Sequence, residues 1–292
     1  MEKQTKMDPL IGFALSDMID EHKDLRKAIS RLKPDMIELQ LDDFTWDIKD
    51  AKDELEKMSF ISVHAASKDL DLSSEDKEMR GKSLQRTLKS MDFAYDTGAD
   101  ALVLHPVNNM YLSPIERLES RERFKNIFRG PLTTYYKEKG HNYSLCLENI
   151  EYPKYPSTLE ETLELYHSLS DGRKNIKMTI DIPHVWNSQR ILRENPERYR
   201  RLTNGFPGEE SLSDYVRKFM EENTDKIGLY HIAAFGDNPV RTHEPIYPET
   251  MNTEYSELIG IMKKRPILLE IHDQPFTVLE YSKKIMEELT SK

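Results

Sequence analysis

Eight short apolar runs, each followed by a stretch with helical spacing, constrain the fold of this chain more than any other feature. The runs are Ile11–Ser16, Met36–Leu41, Phe60–Ala65, Ala101–His105, Ser144–Ile150, Lys177–Ile182, Gly228–Ala233 and Pro266–Ile271. Most are continuous rather than alternating, as expected of a strand buried on both faces of a parallel sheet. Between them, Ser73-Ser74-Glu75 reads as a helix cap. Leu84, Leu88, Met91 and Ala94 then share one helix face, and Gly98 ends the helix. Leu159–Leu169, Leu212–Glu222, Tyr255–Lys264 and Phe276–Leu289 repeat the pattern. Strands that alternate with helices pair in parallel through right-handed crossovers. Eight such units predict an α/β fold, a single (β/α)8 TIM barrel over residues 1–292, close to the ~250 residues typical of that architecture. The connection after the sixth run, from His184 to Asn223, is punctuated by Pro196, Pro207 and Gly208. It is expected to be a long insertion on the barrel's functional face, with a short extra helix over Pro196–Leu202.

Composition narrows the function classes. Charged residues make up 32% of the chain and hydrophobic ones 37%, which suits solvated outer helices around a buried sheet. No apolar run approaches the ~20 residues of a membrane span, and Met1-Glu2-Lys3-Gln4-Thr5-Lys6 lacks the apolar stretch of a secretory signal. The lone cysteine, Cys146, rules out an intrachain disulfide framework. Its place inside an apolar run marks a reduced core thiol, and the expected compartment is the cytoplasm. The net charge of −10 weighs against a broad nucleic-acid surface, which needs clustered Lys and Arg, without excluding a local basic groove. The basic run Glu197-Arg198-Tyr199-Arg200-Arg201 reads as a solvated helix face.

Four of the apolar runs carry a metal-type ligand at or within two residues of their end: Glu148, Asp181, His231 and Glu270. A buried strand has no internal use for a charge at its tip unless that charge is paired or coordinates a metal. In a barrel all strand tips meet at one face, where active sites form. His64 and His105 lie at the ends of the third and fourth runs, His184 follows Asp181 by three positions, and Asp237, Arg241 and His243 follow the seventh run. Five of nine histidines thus fall on one face, whereas His22 and His167 are expected on helix surfaces. Any one of these histidines alone would be an ordinary hydrogen-bonded residue; their joint placement is not ordinary. A mixed His/Asp/Glu set suits Mn²⁺, Zn²⁺ or Co²⁺, with Mg²⁺ also open. A metal on adjacent oxygens of a hydroxycarbonyl acidifies the C–H between them by stabilising the enediolate. Two glutamates can then remove and return the proton.

The motifs Leu104-His105-Pro106, Leu147-Glu148-Asn149 and Asp181-Ile182-Pro183-His184, with His231 and Glu270, resemble the xylose isomerase-like barrel superfamily along the whole chain. That superfamily holds sugar isomerases and epimerases together with endonuclease IV. In the isomerase and epimerase branch, the resemblance implies one divalent metal held by Glu148, Asp181, His231 and Glu270. Glu148 and Glu270 would be the acid–base pair, with His184 and Arg241 on substrate oxygens. The loop Asp237–Pro245 is similar to that of hydroxypyruvate isomerase-like proteins, but Ile246-Tyr247-Pro248-Glu249 replaces the usual glycine-rich stretch. In the endonuclease branch, His64, His105, Glu148, Asp181, His184, His231, His243 and Glu270 match the positions that hold three zinc ions. Arg241 stands where that pattern has an aspartate, and Ala65-Ala66-Ser67-Lys68-Asp69-Leu70 does not resemble its DNA-probing loop.

The expected function is therefore a metal-dependent isomerase or epimerase of a small sugar, sugar acid or sugar phosphate. The alternatives are a multi-zinc phosphodiesterase on abasic DNA or another phosphoester, and a non-catalytic metal-binding barrel. His64, His105, His184, Arg241 and His243 are expected to bind substrate or a second metal. The expected partner is a small carbohydrate, with no membrane and with self-association left open.

Overall fold

Each apolar run becomes a strand in the computed structural model, which describes residues 11–20, 22–109, 113–194, 211–234, 243–247, 253–262, 264–271 and 274–290. The strands are β1 (Ile11–Ser16), β2 (Met36–Gln40), β3 (Phe60–His64), β4 (Ala101–Leu104), β5 (Ser144–Glu148), β6 (Ile176–Asp181), β7 (Ile227–Ile232) and β8 (Ile267–Leu269). They pair in sequence order, all parallel, and β8 closes onto β1 from Ile11↔Ile267 to Phe13↔Leu269. The expected (β/α)8 barrel is the observed one. Strand ends differ from expectation by a few residues. Leu41, Ala65, His105, Asn149, Ile150, Ala233, Glu270 and Ile271 lie just past their strands, because the chain leaves the ladder there to build the loops of the site.

The period of two along a strand sorts the side chains. Phe13, Leu15, Ile37, Leu39, Val63, Leu102, Leu104, Leu145 and Leu147 belong to the large outer core beneath the helices. The opposite phase fills the barrel with a separate cluster of Met36, Ala101, Val103, Cys146, Leu229 and Leu268. Gly12 permits the close approach of β1 to β2, since a Cβ there would lie 2.5 Å from the Met36 carbonyl oxygen. Two residues beyond this apolar layer, the same inner phase turns polar. Glu38 follows Met36, His105 follows Val103, Glu148 follows Cys146, His231 follows Leu229 and Glu270 follows Leu268.

The helices are α1 (Leu25–Leu32), α2 (Lys52–Leu55), α3 (Lys77–Asp96), α4 (Pro114–Ile127), α5 (Thr133–Glu138), α6 (Leu159–Ser170), α7 (Ile182–Arg193), α8 (Leu212–Asn223), α9 (Thr253–Met262) and α10 (Phe276–Thr290), with a π turn over Phe128–Leu132 joining α4 to α5. The cap of α3 is Asp76, whose carboxylate accepts from the Glu78 N–H at 2.8 Å. It is not Ser73, whose hydroxyl is occupied by Asp71 at 2.6 Å. The connection after β6 is also not a plain insertion, because α7 begins directly at Ile182 and α8 occupies most of its far end. The expected helix over Pro196–Leu202 and the basic run 197–201 lie outside the described residues. His167 is exposed on α6 as expected. His22 is not on a helix surface; it is 0% exposed in the turn after β1, its ring stacked on Phe276 at 5.1 Å. Among the described residues no helix is long and apolar enough to cross a membrane.

Candidate metal centre

Glu148, at the last position of β5, is the hub of the barrel mouth. It is wholly buried. One oxygen, Oε2, meets Nε2 of His64 at 3.1 Å and Nε2 of His105 at 3.0 Å. The other, Oε1, meets Nδ1 of His231 at 3.0 Å. His64 ends β3 and His105 follows β4, so three neighbouring strands deliver this cluster by register alone. Burial raises the Glu148 carboxyl pKa, but the imidazoles of His105 and His231 outweigh it and hold the group well below the usual carboxylate range. Burial lowers the His64 pKa, yet the Glu148 carboxylate pushes it up to about 9. For His105 burial dominates and lowers it.

Asp181 joins strand to helix. It ends β6 and caps α7, with its Oδ1 accepting from the His184 N–H at 2.5 Å. The Asp-x-x-His spacing is therefore the spacing of an N-cap carboxylate to the third helical residue. The capped backbone points the His184 ring into the mouth, where Nδ1 lies 3.3 Å from Asp181 Oδ1. Asp181 Oδ2 meets Nε2 of His243 at 3.0 Å. His243 comes from beyond β7, where a two-way backbone bridge between Ala234 and Glu244 fixes its position. Its backbone lies in the left-handed region at φ 68°, a conformation uncommon outside glycine that recurs at functional sites. Glu270, just past β8, presents Oε2 to Nδ1 of His231 at 2.8 Å and to Nε2 of His243 at 3.5 Å. His231 and His243 are both raised well above the usual histidine value: burial opposes, and the facing carboxylates prevail. Glu270 is correspondingly held well below the usual carboxylate range by the two imidazoles, against the effect of burial.

Three groups of ligand atoms result, each within 4.8 Å: His64, His105 and Glu148; Asp181, His184 and His243; and Glu148, Asp181, His231 and Glu270. They share Glu148 and Asp181 and so form one continuous centre. The donor set is carboxylate and imidazole, with no thiolate. Cys146 lies one layer below, its thiol pushed up to about 12 by burial, a reduced core residue as expected. Among the described residues the ion-pair partners of Glu148 are all imidazoles, so the positive charge it requires comes either from protons on histidines or from a cation among them. The residues fit a divalent ion.

All the sequence-predicted site residues that the structure describes meet here. Arg241 and Asp237 lie outside the described residues. Four contributors were not foreseen. Glu38 of β2 is 0% exposed, meets His231 Nε2 at 3.1 Å and accepts from Ser62 Oγ at 2.7 Å. Gln40 donates to Glu270 Oε1 at 2.7 Å. Asn149 accepts from the Asp181 N–H at 2.8 Å, donates to the Asp181 carbonyl oxygen at 2.9 Å, and meets His184 Nδ1 through its own carbonyl at 3.0 Å. Glu151 meets His184 Nε2 at 3.1 Å, and although burial raises its pKa, His184 and Lys154 hold it down at about 2. Glu38 and Gln40 had a sequence signal, since both alternate with Met36 on the inner phase. The loop position of Glu151 carried none.

Residues 18–289 match a family described as Xylose isomerase-like TIM barrel. No curated protein matches the chain. Similar solved structures include a D-tagatose 3-epimerase-like protein, 17% identical with a TM-score of 0.70 and covering 96% of this chain and 97% of that one. The 3-keto-D-glucoside 4-epimerase of E. coli is 13% identical with a TM-score of 0.64, covering 96% and 99%. Endonuclease IV of Thermus thermophilus is 15% identical with a TM-score of 0.63, covering 97% and 99%. At these identities the likeness is one of fold.

Proposed function

The chain belongs to the xylose isomerase-like TIM barrel family, and from that premise we propose that it is a divalent-metal-dependent isomerase or epimerase of a small sugar, sugar acid or sugar phosphate. The observation that carries this is the quartet of Glu148, Asp181, His231 and Glu270, four buried ligands from four successive strands whose atoms lie within 4.8 Å. A divalent ion held by them supplies the positive charge that draws electrons from a hydroxycarbonyl and acidifies the neighbouring C–H.

The chain's own groups do the rest. Asp181 is locked by the α7 cap and by Asn149, so its role is to hold, not to move protons. Glu270 has Oε1 fixed by Gln40, which leaves Oε2 as the oxygen directed at the centre. Glu148 and Glu270 act as the acid–base pair: one, as the carboxylate that its imidazole partners favour, takes the substrate proton, and the other must carry a proton at that moment to donate it back to the carbon. His184, on the rim between Glu151 and Asp181, polarises a substrate oxygen, with Arg241 as the second such group.

A second reading has its own support. Both His64 and His105 address the same oxygen of Glu148, so these three residues could hold an ion besides the one at the quartet, and multi-ion sites favour phosphoester hydrolysis. Metal content and turnover on the same purified sample decide between the two. About one ion per chain with isomerisation or epimerisation of free or phosphorylated ketoses supports the first reading. Two or three zinc ions with cleavage of a phosphodiester such as an abasic-site duplex replaces it with the second.

A further inference from the structure

Two histidines of the centre are held from behind by the ring nitrogen that does not face it. His64 has Nδ1 on the Ala65 carbonyl oxygen at 3.0 Å and His231 has Nε2 on Glu38 at 3.1 Å, each with its other nitrogen on Glu148. Such outer partners fix the tautomer and orientation of an imidazole that faces a metal. His105 turns Nε2 toward Glu148, but its buried Nδ1 meets no protein group. His105 lines a cavity of about 20 Å³ with Asn108, Leu72, Leu104, Ser83 and Thr87, and the hydroxyls of the last two donate to the Met79 and Ser83 carbonyl oxygens of their own helix. Asn108 has the complementary defect. Its Nδ2 donates to the Ser67 carbonyl oxygen at 2.6 Å, which settles the orientation of the amide, and its Oδ1 is buried without a partner.

We propose that this cavity holds one hydroxyl group, a water or a hydroxyl of a polyol substrate, that bridges His105 Nδ1 and Asn108 Oδ1. On this assignment Asn108 is a positioning residue for His105. The volume admits one such group, since an ordered water needs ~10–15 Å³. With Nε2 facing an ion, Nδ1 carries the proton and donates to the bridging oxygen, whose own hydrogen is then accepted by Asn108 Oδ1. The bridging group must therefore accept and donate at once. A fully ionised phosphate cannot donate to Oδ1, and a metal cation would meet the N–H rather than a lone pair, which leaves a neutral hydroxyl. The inference rests on the His105 geometry and on the premise that the centre binds metal, not on which of the two reactions follows.

The test uses the full chain loaded with Zn²⁺, in a crystal that resolves solvent, with and without D-fructose as the polyol probe. A peak within hydrogen-bond distance of both atoms in the probe-free crystal identifies water. A peak found only with D-fructose identifies the substrate hydroxyl. An empty cavity in both overturns the proposal. Zn²⁺ affinity, read by chelator competition, tests the positioning role. Asn108→Leu, which removes the acceptor and fills the space, should weaken the tightest site that includes His105 by about 10–100-fold. Asn108→Asp, which keeps an acceptor, should stay within about threefold of the parent. Equal loss in both variants, or no loss in Asn108→Leu, assigns Asn108 to its Ser67 contact alone and sinks the positioning role. If the parent chain binds no Zn²⁺, the metal reading fails, while a solvent peak in the metal-free crystal still reports on the bridge.

Discussion

Glu38 and Glu148 both touch His231 and are both fully buried, yet they serve it from opposite sides, and substitution separates their roles. Glu148 lies among the ligand atoms with one oxygen on His231 Nδ1, whereas Glu38 holds Nε2 from behind and is itself held by Ser62. Glu148→Gln and Glu270→Gln keep the shape of the side chain but remove the proton-accepting oxygen, and each should lower kcat by about two to four orders of magnitude. Circular dichroism and melting should confirm that the fold persists. Near-normal turnover in both variants rules out the acid–base assignment. Glu38→Gln leaves the ligands in place and weakens only the charge behind His231. It should reduce metal affinity by about tenfold or more, with kcat recovered at saturating metal. An unchanged affinity would show that Glu38 merely fills space.

The junction of β6 and α7 concentrates two duties in one carboxylate, and they can be told apart without metal. Asp181 ends the strand as a ligand and begins the helix as its cap. Asn caps a helix about as well as Asp, while Ala costs ~1 kcal/mol. Denaturant unfolding of the metal-free protein should therefore find Asp181→Ala less stable than Asp181→Asn by about 1 kcal/mol. Both should lose metal affinity alike. Equal stabilities would deny the cap. At this scale the sequence is legible where a rule acts locally. The strands stand out because they are buried on both faces, and their tips because a charge ends an apolar run. Reading only the tips missed Glu38 and Gln40, which lie inside a run but share the phase of Met36. The helix pattern missed α4, although Ser113-Pro114 with Glu116 forms a capping box there. His22 looked like a surface residue because nothing near it in sequence announces Phe276, the aromatic ring it stacks against. Such long-range contacts leave no local pattern.

Across the whole barrel, folding brings buried carboxylates from β2, β5, β6 and β8 into one mouth, and the histidines answer them. Without metal, the balancing charge is carried on imidazoles. His64 is raised from 6.5 to about 9, and His231 and His243 are raised well above 6.5. A group raised on folding stabilises fully below its unfolded value and loses that contribution as pH climbs through its folded value. Glu148 and Glu270 are depressed below 4.5, so their contribution is present above 4.5 and is lost as pH falls through their folded values. The metal-free protein should then be most stable between about pH 5 and pH 7, and its melting temperature should fall as pH rises from about 7 to about 10. A bound divalent ion takes over the charge that those protons carried, so metal uptake near neutral pH should release protons. Calorimetric titration in buffers of different ionisation enthalpy measures that release directly. The metal-loaded protein should accordingly show a flatter melting profile across the alkaline range than the metal-free one. Parallel profiles, or uptake without proton release, would mean that the imidazoles are neutral before the ion arrives, and the raised histidines would then have no part in how this centre is assembled.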